Sequence, residues 1–242
     1  MRILIVNDDG IRAEGIRRLA AMAVQLGEVW VVAPKNQCSA MSHRISVFDR
    51  LEVSPAPDFP VSGVHAFFVD GTPADCVKVA LSHVMPEKPD VVFSGINYGY
   101  NAGVDILYSG TVGAAMEARV CGILAIAFSN DSNSVYEAAD EYLLPLTREM
   151  LAKPIAHDRI WNVNFPGCPL SALKGILWDR LPADEQYYHD HYIRSEGENG
   201  SFYLMPDGTP ITKAREGSDV DALLNGYISV GTIRNAVMEW ED

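Results

Sequence analysis

Two adjacent carboxylates follow the first apolar segment of the chain, where Ile3-Leu4-Ile5-Val6 runs directly into Asn7-Asp8-Asp9-Gly10. Carboxylates held this close repel each other unless a proton or a cation neutralises them, and a hard divalent ion with oxygen ligands is a common solution. Adjacent side chains of a strand point to opposite faces, so Asp8 and Asp9 can share one ion only if the backbone turns there, which Gly10 permits. Taken alone, the motif is equally typical of a solvated turn.

The position of this acidic pair favours a site over a turn. An uninterrupted apolar run bounded by turn residues is typical of a central strand in a parallel sheet that is covered on both faces. Open α/β sheets bind ligands at the carboxyl ends of such strands. We therefore predict that Asp8 and Asp9 form part of a ligand or metal site.

Neutral oxygen donors follow two later strands. A polar loop at residues 35–43 contains Ser39 and Ser42, and either hydroxyl could bind a cation or a phosphate, although a plain loop residue is the alternative for each. Asn97 ends an apolar strand that begins at Val91, and its amide oxygen suits a hard cation. Both segments should reach the same edge of the sheet as Asp8.

A possible anion site lies at the start of a later helix. Ser109-Gly110-Thr111 precedes a run of small residues that predicts a helix over 112–118. Its first amides and the two hydroxyls could bind a phosphate, and an ordinary Ser/Thr N-cap is the alternative. The glycine-spaced loop before it contains Asn101 and is too long for a simple connection, which is typical of functional loops.

Alternating strands and helices must position these residues, and this alternation predicts a doubly wound parallel sheet. The predicted strands are 3–6, 28–33, 45–53, 64–69, 91–93, 123–128 and 160–166, and the predicted helices are 16–26, 73–84, 112–118 and 134–151. Gly27 is taken as a helix C-terminal signal, and Thr72, Pro73 and Asp75 as a capping-box helix start. Beyond Pro169 we predict strands at 175–181, 201–205 and 227–230 and a helix at 218–224.

Composition restricts the classes of partner. The 242 residues suffice for one large α/β domain or two small ones, and the net charge is −13 with no run of Lys or Arg. This charge argues against binding a nucleic-acid duplex, and a phosphate ligand would need a local cation. Four widely spaced cysteines suggest neither a disulfide framework nor a zinc knuckle. The sequence shows no signal peptide or membrane-spanning run, which predicts a cytoplasmic protein without a membrane partner.

The sequence also offers three other interpretations. His189, Asp190 and His191 could be metal ligands, but alternation in a polar, aromatic stretch favours a surface or subunit contact. A phosphoacceptor signalling module also carries an acidic pair after its first strand, yet no acceptor aspartate closes the third strand here. A dinucleotide-binding oxidoreductase is disfavoured because the first strand-helix turn has no Gly-x-Gly-x-x-Gly.

Several segments, in order, resemble the survival protein SurE family of metal-dependent phosphatases that act on nucleoside monophosphates. The principal segments are Asn7-Asp8-Asp9-Gly10-Ile11, residues 33–39, Asp70-Gly71-Thr72-Pro73-Ala74-Asp75-Cys76-Val77, Ser94-Gly95-Ile96-Asn97-Tyr98-Gly99 and residues 107–117. Thinner matches follow at residues 162–166, 218–220 and 227–230. The chain departs from the family pattern at Glu14, where proline is common, and at the tail Val230-Gly231-Thr232-Ile233.

The resemblance implies a Rossmann-like three-layer α/β/α fold with a mostly parallel sheet and a C-terminal β-rich extension that pairs subunits into homodimers or homotetramers. It implies a single domain over 1–242, with a core of about 1–170 and an extension of about 171–242. The implied cofactor is one Mg²⁺ or Mn²⁺ ion per subunit, and its implied ligands are Asp8, Asp9, Ser39 and Asn97.

From the resemblance and the residues together we predict hydrolysis of nucleoside 5′- and 3′-monophosphates to nucleoside and phosphate, an activity that could extend to short polyphosphate. In this hypothesis Asp8 and Asp9 are the catalytic residues. The residues expected to bind the phosphate are Asn101, Ser109, Gly110 and Thr111.

Overall fold

The apolar runs of the sequence form the inner strands of one large sheet. A computed structural model describes residues 1–238, and within them this sheet has nine strands. The strands of the described chain are β1 (Arg2–Val6), β2 (Glu28–Pro34), β3 (Val53–Pro55), β4 (Val64–Val69), β5 (Val91–Tyr98), β6 (Leu124–Asn130), β7 (Arg159–Phe165), β8 (Ile176–Arg180), β9 (Tyr188–His189), β10 (Tyr192–Glu196), β11 (Phe202–Pro206), β12 (Thr209–Pro210) and β13 (Ile228–Arg234). The α-helices are α1 (Glu14–Ala23), α2 (Pro73–Val79), α3 (Gly110–Val120), α4 (Glu137–Ala152) and α5 (Asp219–Leu224).

The strand order places the end of β1 at a switch point. The order across the sheet is β3-β4-β2-β1-β5-β6-β7-β13-β8. From β1 the chain builds outward through β2 and β4 on one side and then through β5, β6 and β7 on the other, with all of these strands parallel. Ligands bind in such sheets beyond the carboxyl ends of the strands where the order reverses. The predicted doubly wound sheet is therefore confirmed, and its binding crevice lies at the ends of β1 and β5.

The two faces of β1 pack into separate cores. Ile3 and Ile5 join α1 and α4 on one face, and Leu4 and Val6 join α2 and α3 on the other. All four side chains are fully buried, as expected for a central strand covered on both faces. This arrangement confirms three α/β/α layers. None of the helices within residues 1–238 has both the length and the apolar character needed to cross a membrane.

The C-terminal region adds strands of mixed direction. β13 runs antiparallel to β7 and parallel to β8, so it extends the main sheet beyond its parallel part. β10 and β11 form a separate antiparallel hairpin, and β9 pairs only briefly with β12. A small apolar cluster connects this region to the loop after β5, and its members are Ala102, Ala183, Ile211, Val220 and Leu223.

The prediction of a strand at residues 45–53 is wrong over most of that range. Only Val53–Pro55 forms a strand, which pairs antiparallel with β4, and Phe48 is 97% exposed. The backbone of the preceding segment binds the start of α2 instead of a strand. The Arg44 carbonyl accepts from the Thr72 hydroxyl at 2.6 Å, and the Ser46 amide donates to Asp75 at 2.9 Å. These contacts take the groups that a strand ladder would use.

The first helix ends earlier than its apolar spacing predicted. α1 stops at Ala23, and short turns carry the chain to Gly27, which was interpreted as a helix C-terminal signal. Gly27 has a different role, because a Cβ atom there would lie 1.9 Å from the Met1 carbonyl oxygen. The glycine lets two backbone segments approach closely where β2 begins. The capping box at Thr72 and Asp75, by contrast, is confirmed.

Candidate active site

Asp8 lies at the end of β1 and is bound on both carboxylate oxygens by one residue of α3. The Thr111 hydroxyl donates to Oδ1 at 2.5 Å, and the Thr111 amide donates to Oδ2 at 3.1 Å. Asp8 is only 3% exposed. Gly110 makes the approach possible, because a Cβ atom at that position would lie 2.9 Å from Asp8 Cβ. The first turn of α3 is thus packed directly against the acidic pair.

Asp9 is held by the strand on the other side of the switch point. Its Oδ2 accepts from the Tyr98 amide at 2.8 Å, which places it beside Asn97. Strand register aligns Val6 with Ser94, and an irregularity in β5 between Ser94 and Asn97 precedes this contact. Asn97 donates Nδ2 to the Gly99 carbonyl at 2.8 Å, which directs its amide oxygen away from that carbonyl. The strand-end prediction for these two residues therefore agrees with the geometry.

The loop after β2 brings Ser39 to the same edge. The Cys38 amide donates to the Asp8 carbonyl at 2.7 Å, so the next residue, Ser39, lies close to the acidic pair. Ser39 is exposed and accepts from Gln37 Nε2 at 2.9 Å. Ser42 was the alternative ligand, but its hydroxyl donates to the Leu107 carbonyl at 2.8 Å. Of the two serines, Ser39 is the one whose neighbouring backbone contacts Asp8.

An ion-paired cluster fastens the far end of this loop to α3. His43 Nε2 lies 2.7 Å from Glu117 Oε2, and Lys78 Nζ lies 3.2 Å from Glu117 Oε1. The hydrogen bond from His43 and the charge of Lys78 hold the pKa of Glu117 below its usual range, against the effect of burial. Gly113 lets the loop pass close to the helix, since a Cβ there would lie 2.3 Å from the Ser42 carbonyl oxygen.

The start of α3 is partly occupied by its own capping contacts. The Ser109 hydroxyl accepts from the Val112 amide at 3.0 Å, which is the ordinary N-cap arrangement. That hydroxyl still carries a proton to donate. The Thr111 hydroxyl and the Thr111 backbone amide both donate hydrogen bonds to Asp8. The groups best suited to an anion are therefore the Ser109 hydroxyl and the Gly110 amide.

Asn101 lies in a buried polar network behind the crevice. Its side-chain Nδ2 donates to Ser129 Oγ at 2.7 Å, and its backbone amide donates to Asn164 Oδ1 at 2.8 Å. Its carbonyl accepts from the side chains of Asn162 and Asn164 at 2.9 and 3.0 Å. Asn101 is 5% exposed, so the network fixes the loop that follows β5.

Burial perturbs the titration of the acidic pair. Loss of hydration raises the pKa of Asp8 to about 6, while the Thr111 hydroxyl bond opposes the rise and the nearby charge of Asp9 adds to it. Burial likewise raises the pKa of Asp9 against the opposing effect of the Tyr98 amide. A pair of carboxylates with raised pKa values gains from a positive charge placed between them.

The donor set fits a hard divalent cation. Two carboxylates, a hydroxyl and an amide oxygen are the ligand types that Mg²⁺ and Mn²⁺ prefer. Among the described residues, which include His189, Asp190 and His191, no three His, Cys, Asp or Glu side chains cluster in a way that could bind a metal. A cation at the acidic pair would therefore need the neutral oxygens of Ser39 and Asn97 as well.

Sequence reasoning missed the residues that support the site. No sequence pattern predicted the contact of Gln37 with Ser39. None predicted that Thr111 would be the partner of Asp8. Asn162 and Asn164, by contrast, form a sequence pattern from which the supporting network could have been predicted. Residues two apart on a buried strand face the same side, and buried amides require partners, so an Asn-x-Asn pair in β7 indicates a polar network.

The fold and the site together define a doubly wound α/β protein with an oxygen-donor site and a helix amino end at its switch point. The family model for survival protein SurE matches residues 3–187. The chain belongs to this family.

Similar proteins match nearly the whole chain. The 5′-nucleotidase SurE of Aeromonas hydrophila subsp. hydrophila is 38% identical, over 95% of this chain and 90% of its own length. The 5′-nucleotidase SurE of Desulfovibrio desulfuricans is 41% identical, over 95% of this chain and 91% of its own. The crystal structure of the SurE protein from Aquifex aeolicus aligns with a TM-score of 0.83 at 34% identity, covering 99% of this chain and 95% of that one.

Proposed function

We propose that the protein is a metal-dependent phosphomonoesterase that hydrolyses nucleoside 5′-monophosphates, and also 3′-monophosphates, to nucleoside and phosphate. One observation carries the proposal: the acidic pair follows β1 at the switch point, and Asp8 contacts the first turn of α3 through Thr111. A cation and a phosphate can thus lie side by side. The names of the two curated relatives, both 5′-nucleotidases, support the same reaction.

The acidic pair would hold the cofactor. The proposed ligands of one Mg²⁺ or Mn²⁺ ion per subunit are Asp8, Asp9, Ser39 and Asn97. When bound, such an ion offsets negative charge on the phosphate and lowers the pKa of a water molecule. Thr111 orients Asp8, and the Tyr98 amide orients Asp9, so each carboxylate that would hold the ion already has a fixed partner.

The start of α3 and the loop before it would bind the phosphate. The Gly110 amide and the Ser109 hydroxyl donate to phosphate oxygens, and the partial positive charge of the helix end favours the anion. Thr111 contributes by fixing Asp8 beside that phosphate. Asn101 has a second Nδ2 proton, beyond the one given to Ser129, with which to contact the phosphate.

The chain's own groups then complete the reaction. Water attacks phosphorus as the bond between phosphorus and the sugar oxygen breaks, and the departing sugar oxygen takes a proton from solvent as the nucleoside leaves. Asp9 accepts the proton of the attacking water, because it is more exposed than Asp8 and its Oδ2 alone is engaged by the Tyr98 amide. Donors at the start of α3 stabilise the charge that grows on the phosphate oxygens.

The region from about residue 171 onward would serve assembly within the single domain. Its hairpin, β10–β11, exposes an apolar surface on both strands, with Tyr192, Ile193, Phe202, Tyr203, Leu204 and Met205 all about half exposed or more. Exposed apolar patches of this kind mark interaction sites. A homodimer or homotetramer joined through this hairpin is the proposed assembly.

The test is phosphate release after removal and return of the metal. The protein is stripped with a chelator and assayed against 5′- and 3′-nucleoside monophosphates and a short polyphosphate, without metal and with Mg²⁺ or Mn²⁺ restored. Metal-dependent release from the 5′-nucleotides is the expected result. Absence of release under every condition would contradict the proposal, and a stable covalent phosphate on the protein after treatment with a small phosphodonor would indicate a signalling module instead.

A further inference from the structure

A cavity opens directly beside Asp9 of the acidic pair. Its volume is about 450 Å³, within the range of roughly 300–1,000 Å³ typical of small-molecule pockets. The start of α1, the loop after β2, the end of β5 and the segment before α4 form its walls. The lining includes Asp9, Glu14, Arg18, Gln37, Tyr98 and Tyr136. Because Asp9 is part of its lining, the cavity borders the proposed metal site.

The cavity offers one aromatic ring for stacking. Tyr98 is 51% exposed and lines the cavity together with Asp9, and its backbone amide donates to Asp9. Tyr136 is 7% exposed, and the Arg18 guanidinium covers its ring at 4.6 Å from the centroid. Tyr136 therefore closes the back of the cavity, and Tyr98 is the surface on which a planar ligand can stack.

A fixed carboxylate lies at the rim of the same cavity. Glu14 Oε1 lies 3.0 Å from Arg18 Nε, and Arg18 is itself held by Asp140 at 2.6 Å. The second oxygen, Glu14 Oε2, is 3.9 Å from Arg17 Nη1, which is longer than a hydrogen bond. Glu14 is thus oriented by one arginine and retains an oxygen that can accept from a ligand.

We infer that this cavity binds the nucleoside of the substrate, with the base stacked on Tyr98 and its N–H groups donated to Glu14. The inference rests on the proposed function and assigns specificity to two residues outside the phosphate site. Guanine carries two adjacent N–H donors on one edge, and both can be donated to the remaining oxygen, Glu14 Oε2, which has two lone pairs. Uracil presents one N–H between two carbonyl oxygens, and these are repelled by the carboxylate. Guanosine monophosphate is therefore favoured over uridine monophosphate.

The experiment compares kcat/KM for GMP, UMP and ribose 5-phosphate, which lacks a base. Tyr98→Leu removes the ring but keeps the amide that binds Asp9. It should lower kcat/KM for both nucleotides about tenfold or more, while the value for ribose 5-phosphate changes less than about twofold. Glu14→Gln should lower the ratio of GMP to UMP about tenfold, because the amide presents a donor where guanine also has donors.

A matched control separates specificity from lost packing. Glu149 forms an ion pair with Lys153 at 2.7 Å across one helical turn, like that of Glu14 with Arg18, and lies outside this cavity. Glu149→Gln should leave the ratio of GMP to UMP unchanged. Equal effects of the Tyr98 and Glu14 variants on all three substrates would overturn this inference while phosphatase activity stands. If the unaltered holoenzyme cleaves none of the substrates, the proposed function itself fails.

Discussion

Thr111 binds Asp8 with two donors at once, its hydroxyl at 2.5 Å to Oδ1 and its amide at 3.1 Å to Oδ2. This contact joins the end of β1 to the first turn of α3. The two residues are 103 positions apart in the sequence. It orients a buried carboxylate that would otherwise rotate about its Cα–Cβ and Cβ–Cγ bonds. Thr111, which the sequence predicts to bind phosphate, thus donates both groups to Asp8, and we expect its influence on the reaction to pass through that carboxylate.

Thr111→Val tests this positioning role. The variant keeps the shape and the amide of Thr111 but removes the hydroxyl, which leaves Asp8 Oδ1 buried and without its donor. Loss of such a supporting partner typically lowers metal affinity about 10–100-fold, and we expect that effect on Mn²⁺ binding measured by calorimetry. Thr111→Ser restores the hydroxyl and should recover most of the affinity. Wild-type binding by Thr111→Val would refute the role.

Asp8→Asn should reduce phosphate release to background while the fold is kept. Asparagine has the same shape, and its oxygen can accept from the Thr111 backbone amide while its NH2 group donates to the Thr111 hydroxyl oxygen. It lacks the charge that attracts a cation. The metal-free variant should melt at the same temperature as the wild type or higher, because it removes a buried charge that the fold disfavours. Asp58→Asn, at an exposed aspartate, is the matched control for activity. An active Asp8→Asn enzyme would rule out Asp8 as a metal ligand.

Metal binding should weaken below about pH 6. The pKa of Asp8 is raised to about 6 in the folded, metal-free protein. Folding therefore favours the protonated carboxyl, so Asp8 adds stability to the metal-free protein as the pH falls through about 6 toward the usual aspartate range. A cation requires the ionised form, so added Mn²⁺ should raise Tm more at about pH 8 than at about pH 5. Equal increases in Tm at both values would contradict the proposal that Asp8 binds the metal.

Features of the fold that depend on local sequence were predicted correctly. The apolar run 3–6 forms the central strand because four consecutive apolar residues can be buried only where both faces of the sheet are covered. The Thr72 and Asp75 capping box formed because its partners are three residues apart. The strand predicted at residues 45–53 is wrong because the contacts of this segment are not local. Their backbone partners, Thr72 and Asp75, are distant in sequence, and the alternating pattern carries no information about such contacts.

The candidate site also contains residues that could be placed from the sequence and contacts that could not. Asp8, Asp9 and Asn97 could be placed together because parallel strands end at one edge, and the strand order confirms that they share it. The Gln37 contact with Ser39 and the Thr111 contact with Asp8 depend on the path of a loop and on the approach of a helix. That approach is set by Gly110, whose missing side chain makes room for Asp8.

Glu117→Gln should destabilise the protein in a pH-dependent manner. His43 and Lys78 hold the pKa of Glu117 below its usual range. Its ionised form therefore contributes stability at pH values above the usual glutamate range, and this contribution is lost as the pH falls through the lowered pKa. We expect the variant to lose about 1–2 kcal/mol of unfolding free energy at neutral pH and less in acid.

Urea denaturation at several pH values measures this difference. Glu141→Gln, at an exposed glutamate of α4, serves as the control and should show little change. A loss that stays constant from neutral to strongly acidic pH would show that the charge of Glu117 is not the cause.

A single charge on the β10–β11 hairpin should weaken subunit assembly. Met205 is 68% exposed and pairs across the hairpin with the apolar Ile193, so lysine there meets no like charge on the facing strand and adds a charge to the apolar surface. If this surface joins subunits, burying the charge without a partner is unfavourable, and the dissociation constant should rise strongly. Phe48→Lys removes an even more exposed apolar side chain far from the hairpin in sequence and should leave assembly unchanged. Sedimentation of the wild type and the two variants measures assembly. An assembly that persists in Met205→Lys but dissociates in Phe48→Lys would place the interface elsewhere.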